Sequence, residues 1–238
     1  DKLDIELYTY VVDWEEFRDI QLSFLRASIP DAELPTDHGI NALLPRIAKE
    51  QGLRYIISGS NVATEAVMPY SWGHYNHDLR HLQAIQRRFG SRKIRSLPTI
   101  SLANYMEYFV ARKMRQIPIL NYVDYRRADW IERLKSELGW RDYGAKHYES
   151  VWTRFFQGYY LPTKFGFDKR RAHYSSLICS GEMTRDRALE LMKEPLYDPE
   201  LLRTDTDYVL KKFGLSTSEW ERIMRAEPRK AREFPSHY

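Results

Sequence analysis

Cysteine is almost missing from this chain: Cys179 stands alone among 238 residues. A single thiol excludes an internal disulfide and any zinc site built from several cysteines of the chain. No apolar run approaches the roughly 20 residues of a membrane-spanning helix, so none is expected. The eleven glycines include no adjacent pair, which excludes a phosphate loop that needs two glycines in succession. No basic segment followed by a short apolar stretch opens the sequence. A reducing, cytoplasmic location is therefore the expectation. Excess charge is also scarce: 37 Lys and Arg against 33 Asp and Glu leave +4, too little to argue for nucleic acid by itself.

What is present is an ordinary globular mixture, 43% hydrophobic and 29% charged, rich in aromatics with 17 tyrosines and 6 tryptophans. Such a balance argues against disorder, and the length suits one large domain or a domain with an extension. Aromatics serve cores, and they also stack on sugars and bases, so composition leaves both uses open.

Periodicity divides the chain in two. In residues 1–125, short apolar runs alternate with helical stripes. Strands are expected at Ile5–Val12, Leu53–Ser58, Lys93–Leu97 and Ile117–Val123. Between them the spacing predicts helices from a capping box at Asp13 and Glu16, from Thr36 to Gly52, from Asn76 to Phe89 and from Ser101 to Arg115. Pro45 is expected to kink the second helix or shift its start. Alternation of this kind predicts an α/β fold with a parallel sheet covered on both faces. Residues 126–238 read as a helical region, with helices near 127–138, 149–157, 169–180, 185–193, 199–213 and 217–226. Gly139, Gly181, Asp198-Pro199 and the box Ser216–Glu219 mark boundaries.

Gly59-Ser60-Asn61 follows the second strand. Ligands of open α/β sheets bind outside the carboxyl ends of the strands, and glycine lets backbone N–H groups approach a phosphate. Ser60, Asn61 and Glu65 could add polar contacts there. The same tripeptide also reads as a plain polar loop. His74, His77 and His81 invite a metal reading, but further ligands are wanting, and solvated or hydrogen-bonding histidines outweigh it. The densest polar stretch runs from Arg141 to Arg171, with Lys146, Arg154, Lys164, Lys169, Arg170 and Arg171 interleaved with aromatics. It suits a diphosphate or nucleotide-sugar anion, and equally an ion-paired surface joining the helical part to the sheet. Cys179, within Leu177-Ile178-Cys179, reads as a packed thiol.

Several runs together resemble a known family. They include Pro35-Thr36-Asp37-His38-Gly39-Ile40, Tyr55-Ile56-Ile57-Ser58-Gly59-Ser60-Asn61-Val62-Ala63-Thr64-Glu65 and Gly139-Trp140-Arg141-Asp142-Tyr143-Gly144. Lys146-His147-Tyr148-Glu149-Ser150, Thr153-Arg154-Phe155 and Leu161 to Arg171 extend the likeness. These runs are similar to the N-acetyl-sugar amidotransferases of bacterial surface-polysaccharide (LPS O-antigen) biosynthesis, within the PP-loop ATP-pyrophosphatase superfamily. The resemblance implies a Rossmann-like sheet of the adenine nucleotide alpha hydrolase type in residues 1–125 and a substrate or partner region in 126–238. It implies ATP, with Mg2+, activating the acetamido oxygen of a UDP-linked sugar, and ammonia then leaving an acetamidino group. A glutaminase and a cyclase-like subunit are the implied ammonia suppliers.

By the same resemblance, Ser58, Gly59, Ser60, Asn61, Glu65, Asp37 and His38 would hold the nucleotide. Lys146, His147, Glu149, Arg154 and Lys164 would act on substrate in the same cleft as Gly59, and Lys169, Arg170 and Arg171 would bind it. The family's Ser-Gly-Gly-x-Asp-Ser loop does not occur here. The resemblance places that loop, and a central strand between Ile5–Val12 and Lys93–Leu97, upstream of Asp1. It implies that these residues alone do not cleave ATP. A tRNA-modifying enzyme of the same superfamily and a non-catalytic assembly module are the competing readings, since fold does not determine function.

Overall fold

The computed structural model describes residues 3–124, 126–141 and 150–237, with nothing given of the side chains at 127 and 128. Helix α1 (Trp14–Ala27) starts where the Asp13 side chain accepts the Glu16 N–H, and its stripe of Ile20, Phe24 and Leu25 is wholly buried. Helix α2 (Leu34–Glu50) begins ahead of the expected Thr36, because Pro35 suits a first turn where no N–H is required. Pro45 neither breaks nor shifts α2, which continues to Glu50. Strand β1 (Tyr55–Ser58), the short helix α3 (Val62–Glu65) and helix α4 (Leu79–Phe89) follow. Helix α5 (Leu102–Tyr105) runs on as a π-helical turn, Met106–Ala111, into strand β2 (Arg115–Pro118).

The two strands pair in parallel, with Tyr55 opposite Arg115 and Ser58 opposite Pro118. This is the whole sheet among the described residues, and it departs from the expected Rossmann-like sheet in three places. Residues 93–97 are not a strand. The amides of Ser91 and Arg92 donate to the Asp19 carboxylate and those of Ser96 and Leu97 to Glu16, so α1 takes the donors a ladder would use. Glu16, expected to close a capping box on Asp13, is thereby occupied elsewhere. Residues 5–12 have no ladder partner among the described residues, and Ile5, Leu7 and Val11 are exposed. The last expected strand ends early, at Pro118, where a 3₁₀ turn Ile119–Tyr122 takes over. Tyr55 and Ile57 are exposed as well, so one face of the sheet is uncovered.

The second half is helical, as expected: α6 (Arg127–Arg133), α7 (Val151–Phe155), α8 (Leu161–Phe165), α9 (Lys169–Cys179), α10 (Arg185–Leu191), α11 (Pro199–Phe213) and α12 (Thr217–Arg225). A π-helical turn joins α7 to α8. Asp168, Thr184, Asp198 and Ser216 cap α9 to α12 with their own side chains. The main core unites both halves. Ile20 and Phe24 of α1 and Leu82 and Ile85 of α4 belong to the same cluster as Phe155, Tyr160, Phe213 and Trp220. A smaller cluster, including Ala42, Ala48, Ile100, Tyr108 and Met114, takes in Ile56 of β1. No described helix is long and apolar enough to cross a membrane.

Candidate functional site

The loop after β1 sits at the carboxyl ends of both strands. Ser60 donates its amide to Ser58 Oγ at 3.1 Å, and the two hydroxyls lie 2.7 Å apart. Asn61 caps α3 by accepting the Thr64 amide at 2.9 Å, and Asn121, from the turn after β2, accepts the Val62 amide at 2.9 Å. The first amides of α3 are thus already satisfied by side chains. Gly59 is different: a Cβ built there meets nothing within 4 Å, and its φ lies outside the left-handed region. Neither packing nor backbone conformation requires a glycine, and the space before it is open. Gly59→Val is therefore expected to leave the melting temperature within a degree or two of wild type, which thermal denaturation checks. Glu65 lies exposed at the end of α3.

A second group of polar residues forms a recess where the two halves meet. Asp31 and Glu33 precede α2 and Asp37 lies in its first turn. Asp31 Oδ2 accepts the His74 amide at 2.8 Å. Thr153 of α7 and Gln157 of the π-helical turn after it lie beside Glu33, and Asn76 lies beside Asp37. Lys169, the first residue of α9, is the cation that acts on all three carboxylates. Trp72 stacks on Phe167 at 5.0 Å and holds the 70–76 segment against the start of α9. Asp37 reaches solvent, but protein crowds the recess around it.

Withdrawal from water dominates the electrostatics. It pushes the Asp31 carboxyl up to about 7, with Asp37 and Glu33 adding repulsion and the His74 amide and Lys169 opposing it. Glu33 and Asp37 are raised for the same first reason. The sign for stability follows directly. Between pH 4 and 7 the native protein retains a proton on Asp31 that the unfolded chain has released, so stability falls as pH rises through that window. Asp31→Asn can still accept the His74 amide but carries no charge to bury. Its urea midpoint should match wild type near pH 4 and exceed it at pH 8.

His38, expected at the nucleotide, is instead wholly buried and bonded to backbone on both sides. Its Nδ1–H donates to the Asn76 carbonyl at 2.7 Å and its Nε2 accepts the Ile100 amide at 3.3 Å. Both partners assign the neutral tautomer, and burial holds its pKa low. His38 thus fixes the backbone at residue 76, beside Asp37.

The basic stretch is divided among several tasks. Arg154 makes a two-pronged pair with Asp205, at 2.7 and 2.9 Å, and Tyr197 donates to the same carboxylate at 2.5 Å. Lys164 donates to the carbonyls of Ile223, Met224 and Ala226 and so closes the end of α12. Arg170 pairs with Asp168 at 2.9 Å and reaches the Glu194 carbonyl beyond α10 at 2.8 Å. Arg171 is exposed. Lys146, His147 and Glu149 lie outside the described residues. Among the described residues of this stretch, Lys169 is the basic one that lies near the carboxylates. Helix α9 also ties Lys169 to the glycine loop, since Ser176 Oγ accepts the Val67 amide at 3.0 Å and Ser180 Oγ donates to the Ala63 carbonyl at 3.1 Å.

Among the described residues, no group of three His, Cys, Asp or Glu is placed to hold a metal ion. His74 bonds Asp78 at 3.0 Å and packs at a tilt against His81 with ring centres 4.1 Å apart, an arrangement that also ties down Ser236 and His237 through Asp78. Cys179, read from sequence as a packed thiol, is exposed at the end of α9. Asp31 and Glu33 escaped sequence reasoning. The signal was there in an acidic trio just ahead of a helix stripe, but its lysine partner is more than a hundred residues away.

Residues 149–238 match the family model described as the C-terminal domain of WbpG-like LPS biosynthesis proteins. No curated protein and no solved structure matches the chain. The matched segment contains α7 to α12, including Thr153, Gln157 and Lys169 of the recess. In that C-terminal part, residues 149–238, the chain is similar to the WbpG-like LPS biosynthesis proteins.

Proposed function

We propose that the chain belongs to an ATP-dependent amidotransferase that converts the acetamido group of a UDP-linked sugar into an acetamidino group. The observation that carries the reading is the recess: Lys169 and Gln157, from the segment matching an LPS biosynthesis family, lie near the carboxylates Asp31, Glu33 and Asp37 at the start of α2. Its fit to ATP rests on the open space before Gly59, where a phosphate could lie against backbone. Mg2+ would have to arrive with the phosphates, which is how that ion usually binds.

ATP supplies the activation of the amide oxygen and leaves as AMP and pyrophosphate. The remaining chemistry falls to this chain. Ammonia attacks the activated carbon, a C–N bond forms as the C–O bond to AMP breaks, and the attacking nitrogen must lose a proton. A carboxylate with its pKa near neutrality takes a proton efficiently at physiological pH, and Asp31 is such a group. Lys169 would keep the recess from holding three uncompensated charges. A glutaminase with a cyclase-like subunit would supply the ammonia. The test is the protein containing this chain, incubated with ATP, Mg2+, ammonium and UDP-acetamido sugars. AMP formation that depends on the sugar, with an acetamidino product by mass spectrometry, is expected. AMP formation that depends instead on tRNA, or on no added acceptor, would overturn the assignment.

A further inference from the structure

A cavity of about 240 Å³ lies between the middle of α2, the two strands and the helix that ends in the π turn. Ile56, Phe109, Tyr105 and Leu44 give it apolar and aromatic walls, and none of its lining residues is charged. Three of its lining residues bring polar groups to it. The Nδ1 atom of His77 is buried without a hydrogen-bond partner among the described residues, although buried imidazole nitrogens ordinarily find one. Pro45 lacks an N–H, so the Asn41 carbonyl loses the helix bond it would accept from that position. Gln116 adds a carboxamide that both donates and accepts at the exposed mouth.

We infer that this cavity binds a nucleobase, with His77, Asn41 and Gln116 reading its polar edge and Tyr105 and Phe109 flanking its ring. The volume is below the roughly 300–1,000 Å³ of sites for drug-sized ligands, so it accepts a ring and leaves sugar and phosphates outside. An uncharged lining suits an uncharged ring, and a mixture of donors and acceptors suits an edge that carries both. Burial keeps His77 neutral at physiological pH, so one ring nitrogen donates and the other accepts. The position is consistent with the recess. Asp37 and Asn41 are one turn apart on α2, and Asn76, which lies beside Asp37, is the neighbour of His77.

The inference rests on the proposed function only for which nucleotides to try, ATP and a uridine nucleotide. Calorimetry with adenosine, uridine and ribose, none carrying phosphate, tests the cavity apart from any catalysis. Saturable binding of one nucleoside and none of ribose is expected. His77→Phe should weaken it tenfold or more while keeping or raising the melting temperature, because it removes a buried nitrogen that has no partner. Gln116→Leu, at the exposed mouth, should weaken it as well without unfolding the protein. No nucleoside binding by the wild type, or binding that both variants leave unchanged, would overturn the inference. Either result leaves the amidotransferase assay to stand or fall separately.

Discussion

Replacing Arg154 with alanine is expected to destabilise the protein by about 3–5 kcal/mol, the cost of leaving a buried carboxylate without its partner. Asp205 is only 5% exposed at its side chain and accepts both prongs of the guanidinium together with the Tyr197 hydroxyl. The pair joins α7 to α11, so its loss strands a charge inside the helical half. Urea denaturation of Arg154→Ala measures the effect. Arg154→Met combined with Asp205→Leu should recover most of the loss, since two apolar groups leave no charge behind. A single variant with wild-type stability and impaired turnover would return Arg154 to the substrate, where the family resemblance placed it.

If the proposed amidotransferase reaction is the activity, Lys169→Met is expected to lower its kcat/KM about 10²–10³-fold, the scale found when a preorganised polar group is removed from a reacting centre. Methionine keeps most of the apolar stem, so packing at the start of α9 should survive. The charge does not survive, and Asp31, Glu33 and Asp37 then face one another without the cation that opposes their repulsion. Their carboxyls should hold protons to higher pH, so the acid limb of the pH–rate profile should move upward. Stability should follow the same logic: Lys169→Met should melt earlier than wild type at pH 8, where the carboxylates are ionised, and close to wild type at pH 4. Unchanged turnover together with an unchanged pH profile would remove the recess from the reaction.

How legible each feature was depends on how far its cause lies along the chain. Asp198 and Ser216 were readable as cap residues because each bonds an amide three residues on. The buried face of α1 was readable from spacing. Arg154 and Lys164 were not, because a basic residue bound for Asp205 or for the end of α12 has the same local sequence as one bound for a phosphate. The glycine loop was placed correctly at the end of β1, but its sequence did not reveal that Asn61 and Asn121 already occupy the amides of α3.

By itself the sequence determined the helical second half, the helix caps at Asp13, Asp198 and Ser216, the loop at the end of β1 and the absence of any cysteine framework, all of which depend on contacts within a few residues. The tertiary structure alone decided the rest. Lys93–Leu97 has the composition of a strand, yet Glu16 and Asp19 of α1 claim amides within and just ahead of it. His38 resembles a ligand-binding residue, yet residues 76 and 100 take both of its nitrogens. Asp31, Glu33 and Asp37 become a site only because α9 delivers Lys169 to them. Strand pairing, buried ion pairs and shifted carboxyl pKa values all arise between residues far apart in the chain, where local pattern carries no information about which partner a backbone or a charge will meet.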